Sequence, residues 1–211
     1  MSALPERLQA VDLHEAIRRR AMVRSFSSDS VGPDVVNHLL DAALRSPTAG
    51  NTGGTAWVAL EGPGQTALYW AAATDEEWRR SARRWPGLER APVILLAYTS
   101  PAAYVARYAE PDKASAGLGG SEESWPVPYW VGDAAFGVMV VLLGAVDAGL
   151  GACFLGVFRG EEELARSLGV PEGWRQFGAV ALGRPDGSDR RSPSLDRPRP
   201  PRSERIHQGG W

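Results

Sequence analysis

Apolar positions along this chain recur with two periods, one helical and one alternating or continuous, and the switches between them mark the elements. From Val11 to Met22, Leu13, Ile17 and Ala21 fall at helical spacing and predict a first helix. An extended link, Val23 to Val31, leads to Pro33, whose fixed φ and missing N–H suit a first helical position. Val36, Leu39, Leu40, Ala43 and Leu44 then form one stripe. This second helix is expected to stop at Ser46, because Pro47 disfavours helical backbone in the residue before it. Ala56 to Leu60 reads as a strand ended by Gly62-Pro63-Gly64. Residues 65 to 85 read as helical, and Pro92 to Thr99 as a fully buried strand.

From Glu110 to Pro128 the pattern dissolves into Gly, Ser, Pro and charge, which predicts a lid or excursion over residues 110–128. Trp130 to Gly149 is apolar on every side, so this helix needs cover from the sheet, other helices or a partner subunit. Ala152 to Phe158 and Gln176 to Leu182 are two further strands, with a short helix, Glu161 to Leu168, between them. The last 28 residues, 184–211, are too polar for a core and are either disordered or ordered only by lying on another surface, such as a second subunit. Helices grouped around a few strands without regular βαβ alternation give the class α+β, in one domain of 211 residues.

Composition narrows the function classes. A net charge of −2 gives no whole-chain basic field for nucleic acid or anionic lipid. Asp133 and Asp147 leave thirteen uncharged residues between them, too few to span a membrane. Cys153 is the single cysteine, which rules out an internal disulfide and suits a reducing, cytoplasmic setting; the opening MSALPERLQA also lacks a signal peptide's apolar core. His14, His38 and His207 are scattered without HExxH or Cys/His pairing, so no metal site is expected. A Walker loop and a GxSxG elbow are both absent. Gly149-Leu150-Gly151 lacks the third glycine of a dinucleotide fingerprint and follows a helix.

Three constellations remain. Arg18, Arg19, Arg20 and Arg24, in the run RRRAMVRSF, either fork onto a phosphate or cap a helix C-terminus in solvent. The loop Ser46-Pro47-Thr48-Ala49-Gly50-Asn51-Thr52 either admits a flat ligand close to its backbone or is an ordinary helix-stop turn. Arg197 and Arg199, far off in the tail, read by themselves as part of a solvated basic arm.

In order and spacing, these segments resemble the nitroreductase family: an Arg-rich xVRxF segment, an SPTAGN loop, a DAA-type helix running into GLGA, and RxR near the C-terminus. The resemblance spans about residues 12 to 211. It implies an α+β sandwich with a mostly antiparallel central sheet, built as a homodimer with exchanged C-terminal arms and FMN at the interface. By resemblance, Arg20, Arg197 and Arg199 match positions that hold the FMN phosphate, with Ala21 and Met22 beside them, and Arg24 matches a basic position near the flavin's N1 and O2. Pro47, Thr48, Ala49 and Asn51 match the loop on the flavin ring and ribityl chain. Phe154, Leu155, Gly156 and Val157 match the segment behind the ring, where a backbone N–H near Gly156 or Val157 faces N5.

The activity so implied is ping-pong reduction of an electrophile (nitroarene, quinone or enone) by NAD(P)H, with no catalytic side chain required. Trp125, Tyr129 and Trp130 are the expected substrate contacts. Four positions depart from the pattern: Met22 where serine is frequent, Gly53 and Thr55 where Gln and Trp are usual, and Gly156 where an acidic residue is usual. Two alternatives stay open: within the same fold, a flavin-dependent oxidase or dehydrogenase of a biosynthetic pathway, and, given the missing Gln and Trp, a non-catalytic flavin- or deazaflavin-binding protein.

Overall fold

The computed structural model describes residues 11–81 and 85–211. The opening decapeptide and part of the stretch predicted as helical over 65 to 85 lie outside the described residues. Four strands form one antiparallel sheet: β1 (Thr55–Glu61), β2 (Val93–Thr99), β3 (Gly151–Leu155) and β4 (Arg175–Gly183), in the order β1-β2-β4-β3. The helices are α1 (Leu13–Arg19), α2 (Pro33–Ala43), α3 (Gly62–Ala73), α4 (Glu76–Ser81), α5 (Pro101–Tyr108), α6 (Tyr129–Asp147) and α7 (Glu161–Ser167). The class is α+β, as the pattern predicted.

The continuous apolar run of β2 follows from its place in the sheet. Val93, Leu95 and Ala97 face a core built with α2 and α6, which supply Val36, Leu39, Val141 and Leu142. Ile94, Leu96 and Tyr98 face a second core with Tyr69 and Trp70 of α3 and Leu164 of α7. A strand covered on both faces has no polar side to show. Edge strand β3 is joined on its free side by the link after α1: Met22 bridges Ala152 in parallel, and the Val23 N–H donates to the Ala152 carbonyl at 2.9 Å.

Several elements differ from the sequence-based expectation. The first helix stops at Arg19, three residues early, because the chain leaves it to pair with β3. The stretch read as one helix over 65 to 85 is broken at Thr74, which caps α3 in extended backbone, and α3 itself begins directly at Gly62. Helix α5 was not predicted; its eight residues show only Tyr104 and Pro101 to the interior. Strand β3 ends at Leu155 and does not continue to Phe158, whose ring is exposed.

Helix α6 is long and apolar enough by composition to cross a membrane, yet it packs against α2, α1 and all four strands as a core helix. Within one chain its cover is incomplete: Val131, Phe136 and Met139 remain exposed, as do Leu13 and Ile17 of α1. The segment 110–128 is held down. Trp125 packs with Tyr104 and Trp130 in a small third core, and its indole N–H donates to the Leu118 carbonyl at 2.9 Å. Residues 184–189 lie along the link after α1, with Asp186 accepting from Ser25 Oγ at 2.9 Å, and beyond them the tail is exposed apart from half-buried Ser192.

Candidate functional site

The arginine-rich link and the end of β3 come together. Arg20 caps α1, and its Nη1 is buried without a hydrogen-bond partner. A guanidinium nitrogen withdrawn from water and left unpaired is costly, and an anionic oxygen placed against it would remove that cost. Met22, expected beside the phosphate, is used structurally: its sulfur accepts the Phe154 N–H at 3.3 Å. Where the resemblance leads one to expect a serine hydroxyl, this chain ties the link to the strand. That bond also shows that the Phe154 N–H faces the open edge of β3. Strand alternation puts the next such N–H at Gly156, just past the strand's end.

Arg24 is engaged within the chain. Its backbone N–H donates to Asp189 at 2.8 Å, its Nη1 to the Met22 carbonyl at 3.1 Å, and its guanidinium stacks 5.1 Å from the Trp85 ring centroid. Ala21 is exposed and lines a cleft with Arg19, Val23, Gly151 and Ala152. Leu155, Gly156 and Val157 line a cavity of about 240 Å³ closed by α3 and α7.

The loop 46–52 is positioned from the other side, by α5 and α6. Asp133, on α6 and 5% exposed, accepts the Ala49 N–H and the Tyr104 hydroxyl on one oxygen, each at 2.8 Å. Burial first, and then that carboxylate, pushes the Tyr104 hydroxyl well above the usual phenol range. Arg107 of α5 donates to the Gly50 carbonyl at 3.0 Å and is itself fixed by Asp112 and Glu110. Gly50 (φ 65°) and Asn51 (φ 53°) both adopt left-handed backbone, which reverses the chain there; Asn is among the few side chains that tolerate it. Thr48 Oγ1 accepts the Gly53 N–H at 3.0 Å, and the exposed Asn51 leaves its amide to solvent.

The Ala49 N–H, by contrast, is taken by Asp133 and points inward. Ser46 Oγ is a second buried polar atom without a partner, and Pro47 lines a hollow of about 480 Å³ with Phe136 and Met139.

One chain does not assemble the whole predicted site. The loop 46–52 is held by α5 and α6, the arginine link by β3, and Arg197 and Arg199 line a separate open hollow of the tail with Ser194. Of the three aromatic residues expected to touch substrate, Trp125 and Trp130 are buried in the third core, their ring centroids 5.6 Å apart, and Tyr129 is exposed. Sequence reasoning missed Asp133, Tyr104 and Arg107 as the supports of the loop. A carboxylate near the start of an otherwise apolar helix, Asp133, was the available signal, because a buried charge requires partners. Among the described residues, no three His, Cys, Asp or Glu side chains gather as a metal site would require.

Comparison with known proteins agrees with this fold. The family model described as the nitroreductase family matches residues 17–184. The chain is 24% identical over 198 residues to an Archaeoglobus fulgidus protein named as an NADH dehydrogenase/NAD(P)H nitroreductase, covering 92% of this chain and 96% of that one. Among solved structures, a nitroreductase family protein from Streptococcus pneumoniae superposes with a TM-score of 0.70 at 18% identity, covering 93% of this chain and all of that one, 100%. A nitroreductase from Desulfovibrio desulfuricans in complex with FMN gives 0.65 at 20% identity, covering 94% and 97%. With four-fifths of its length matched and the same fold around its sheet, the chain belongs to the nitroreductase family of oxidoreductases.

Proposed function

We propose that this chain is an FMN-dependent, NAD(P)H-using reductase of electrophilic small molecules that works as a homodimer. The observation that carries the cofactor is the buried, unpartnered Arg20 Nη1 beside the open edge of β3. Ser46 Oγ, orphaned in the same way at the other cluster, supports a second contact with a polar ligand. Both are groups that a phosphate and a ribityl chain satisfy. Bound FMN would supply hydride transfer from NAD(P)H to a nitroarene, quinone or enone acceptor.

The chain's own residues bind and orient. Arg20 offers charge-assisted bonds to a phosphate, and Arg197 and Arg199, exposed on the arm, are free to reach a second subunit's site. A backbone N–H of Gly156 or Val157, just past the end of β3, would donate at the ring edge. Thr48 and Asn51 offer hydroxyl and amide groups from the partner's loop. Two subunits suit this reading, since within one chain the loop is held by α5 and α6 and the arginine link by β3. They would also cover Phe136, Met139, Leu13 and Ile17, which are exposed in the single chain.

An absorbance spectrum of the purified protein, before and after anaerobic addition of NADH and then NADPH, tests this reading. A flavin band that bleaches is the expected result. A colourless protein that FMN does not reconstitute overturns it, and peroxide release without NAD(P)H redirects it to an oxidase. Arg20→Ala is expected to weaken FMN binding by roughly ten- to hundredfold, the worth of one charged hydrogen bond at about 1.5–3 kcal/mol.

A further inference from the structure

The link after α1 is tied to β3 through backbone and through sulfur. The Val23 N–H donates to the Ala152 carbonyl at 2.9 Å, and the Met22 sulfur accepts the Phe154 N–H at 3.3 Å. Beyond Val23 the link has further ties: the Arg24 N–H donates to Asp189, and the Ser25 hydroxyl bonds to Asp186. The sulfur contact therefore serves the beginning of the link, two residues from Arg20, whose buried Nη1 has no partner in the chain.

Met22 is half-buried and packs against both large cores. A thioether suits such a place, being apolar in bulk and only a weak acceptor. It is also an acceptor that a mild oxidant transforms. A serine at this position would be inert to the same reagent.

We propose that Met22 is an oxidation-sensitive latch: hydrogen peroxide converts its thioether to the sulfoxide, which releases the link from β3 and displaces Arg20. The sulfur lone pair attacks one peroxide oxygen, and an S–O bond forms as the O–O bond breaks. Sulfur is oxidised by two electrons, and the other oxygen leaves as water after taking the proton of the transferred hydroxyl. The product cannot keep the same contact. Its sulfur is electron-poor and accepts badly, while its oxygen is a strong acceptor set among apolar side chains. With nitrogen and sulfur in contact at 3.3 Å, no oxygen fits between them. An S=O group turned to solvent leaves the Phe154 N–H without its partner, and one turned towards that N–H pushes the link off the strand. The consequence for a cofactor rests on the FMN reading; the chemistry of the latch does not.

The full chain treated with dilute hydrogen peroxide, then with catalase to remove the excess, supplies the test. Peptide mass spectrometry is expected to find one added oxygen on Met22, and the Phe154 amide NMR signal is expected to move. FMN affinity is expected to fall roughly tenfold, the worth of one hydrogen bond. A methionine sulfoxide reductase with a thiol reductant is expected to restore both. Met22→Leu, with an unchanged circular dichroism spectrum, is expected to bind FMN with an affinity that peroxide does not alter, so any effect of oxidising the exposed Met139 is seen separately. A Met22 left unoxidised in the folded chain while Met139 reacts overturns the proposal. So does a Met22 sulfoxide that leaves the Phe154 amide unmoved or the FMN affinity unchanged. A chain that binds no FMN before treatment refutes the FMN reading instead, and the amide shift and its reversal then decide the latch.

Discussion

Asp133 shows how one side chain sets the candidate site. It sits at 5% exposure in an apolar helix and accepts two bonds on the same oxygen, so the loop and α5 are fastened to one atom. Asp133→Asn retains an oxygen there and is expected to be mild. Asp133→Ala leaves two donors unsatisfied at about 1–3 kcal/mol each, and a drop of about 2–6 kcal/mol in urea unfolding is expected. Equal losses in the two variants would show that the acceptor oxygen is not what matters.

Cys153 is the opposite kind of residue, a thiol with packing but no task. Burial pushes its pKa up to about 11, so the folded state holds the neutral form. A raised pKa stabilises the fold fully below the ordinary thiol value of about 8.5 and loses that contribution as pH rises towards about 11. At pH 8 the native thiol is expected to be inert to a disulfide reagent and to react once the chain is unfolded; rapid native labelling would contradict its burial.

At the scale of elements, close approaches dictate where the loop can run. A Cβ at Gly54 would lie 2.4 Å from the Tyr104 ring, and Tyr104 is fully buried and cannot swing aside. The Gly54 carbonyl meanwhile accepts the Ser100 N–H at 3.0 Å, which ties the start of β1 to α5. Gly54→Ala is therefore expected to cost about 1–3 kcal/mol by overpacking and to loosen the loop. Thermal unfolding of the variant, with and without FMN, checks both effects. At the other edge of the sheet, β3 gains its outer neighbour from a link with no regular structure of its own, and this explains why α1 ends early.

For the whole molecule, the question is which surfaces are complete. The sheet is covered on both faces, but α1, α6 and the arm leave Leu13, Ile17, Phe136, Met139, Leu195 and Ile206 exposed. An apolar face of this extent on helices that otherwise build the core is expected to be an interface. Sedimentation equilibrium is expected to give a dimer, and Phe136→Glu with Met139→Glu a monomer with weakened FMN binding. A wild-type monomer at micromolar concentration would remove the two-subunit site from consideration.

What the sequence determined by itself was whatever repeats locally. The stripe of α2, the all-apolar run of β2 and the length of α6 are periodicities, and each survived because its apolar residues had a core to meet. The class α+β followed from their order, and the family from the spacing of four short segments. Tertiary structure decided what depends on residues distant in sequence. Helix α1 stops at Arg19 because β3, over a hundred residues later, competes for the chain. Met22 binds Phe154 through sulfur across a separation of 132 residues, and Asp133 reaches Ala49 across 84. Helix α5 was missed because its eight residues make only about two turns, shorter than the window in which a period stands out. The orphaned nitrogens of Arg20 and Trp70 exist only in the folded chain, since burial and the lack of a partner are properties of the space around an atom and not of the residue that carries it.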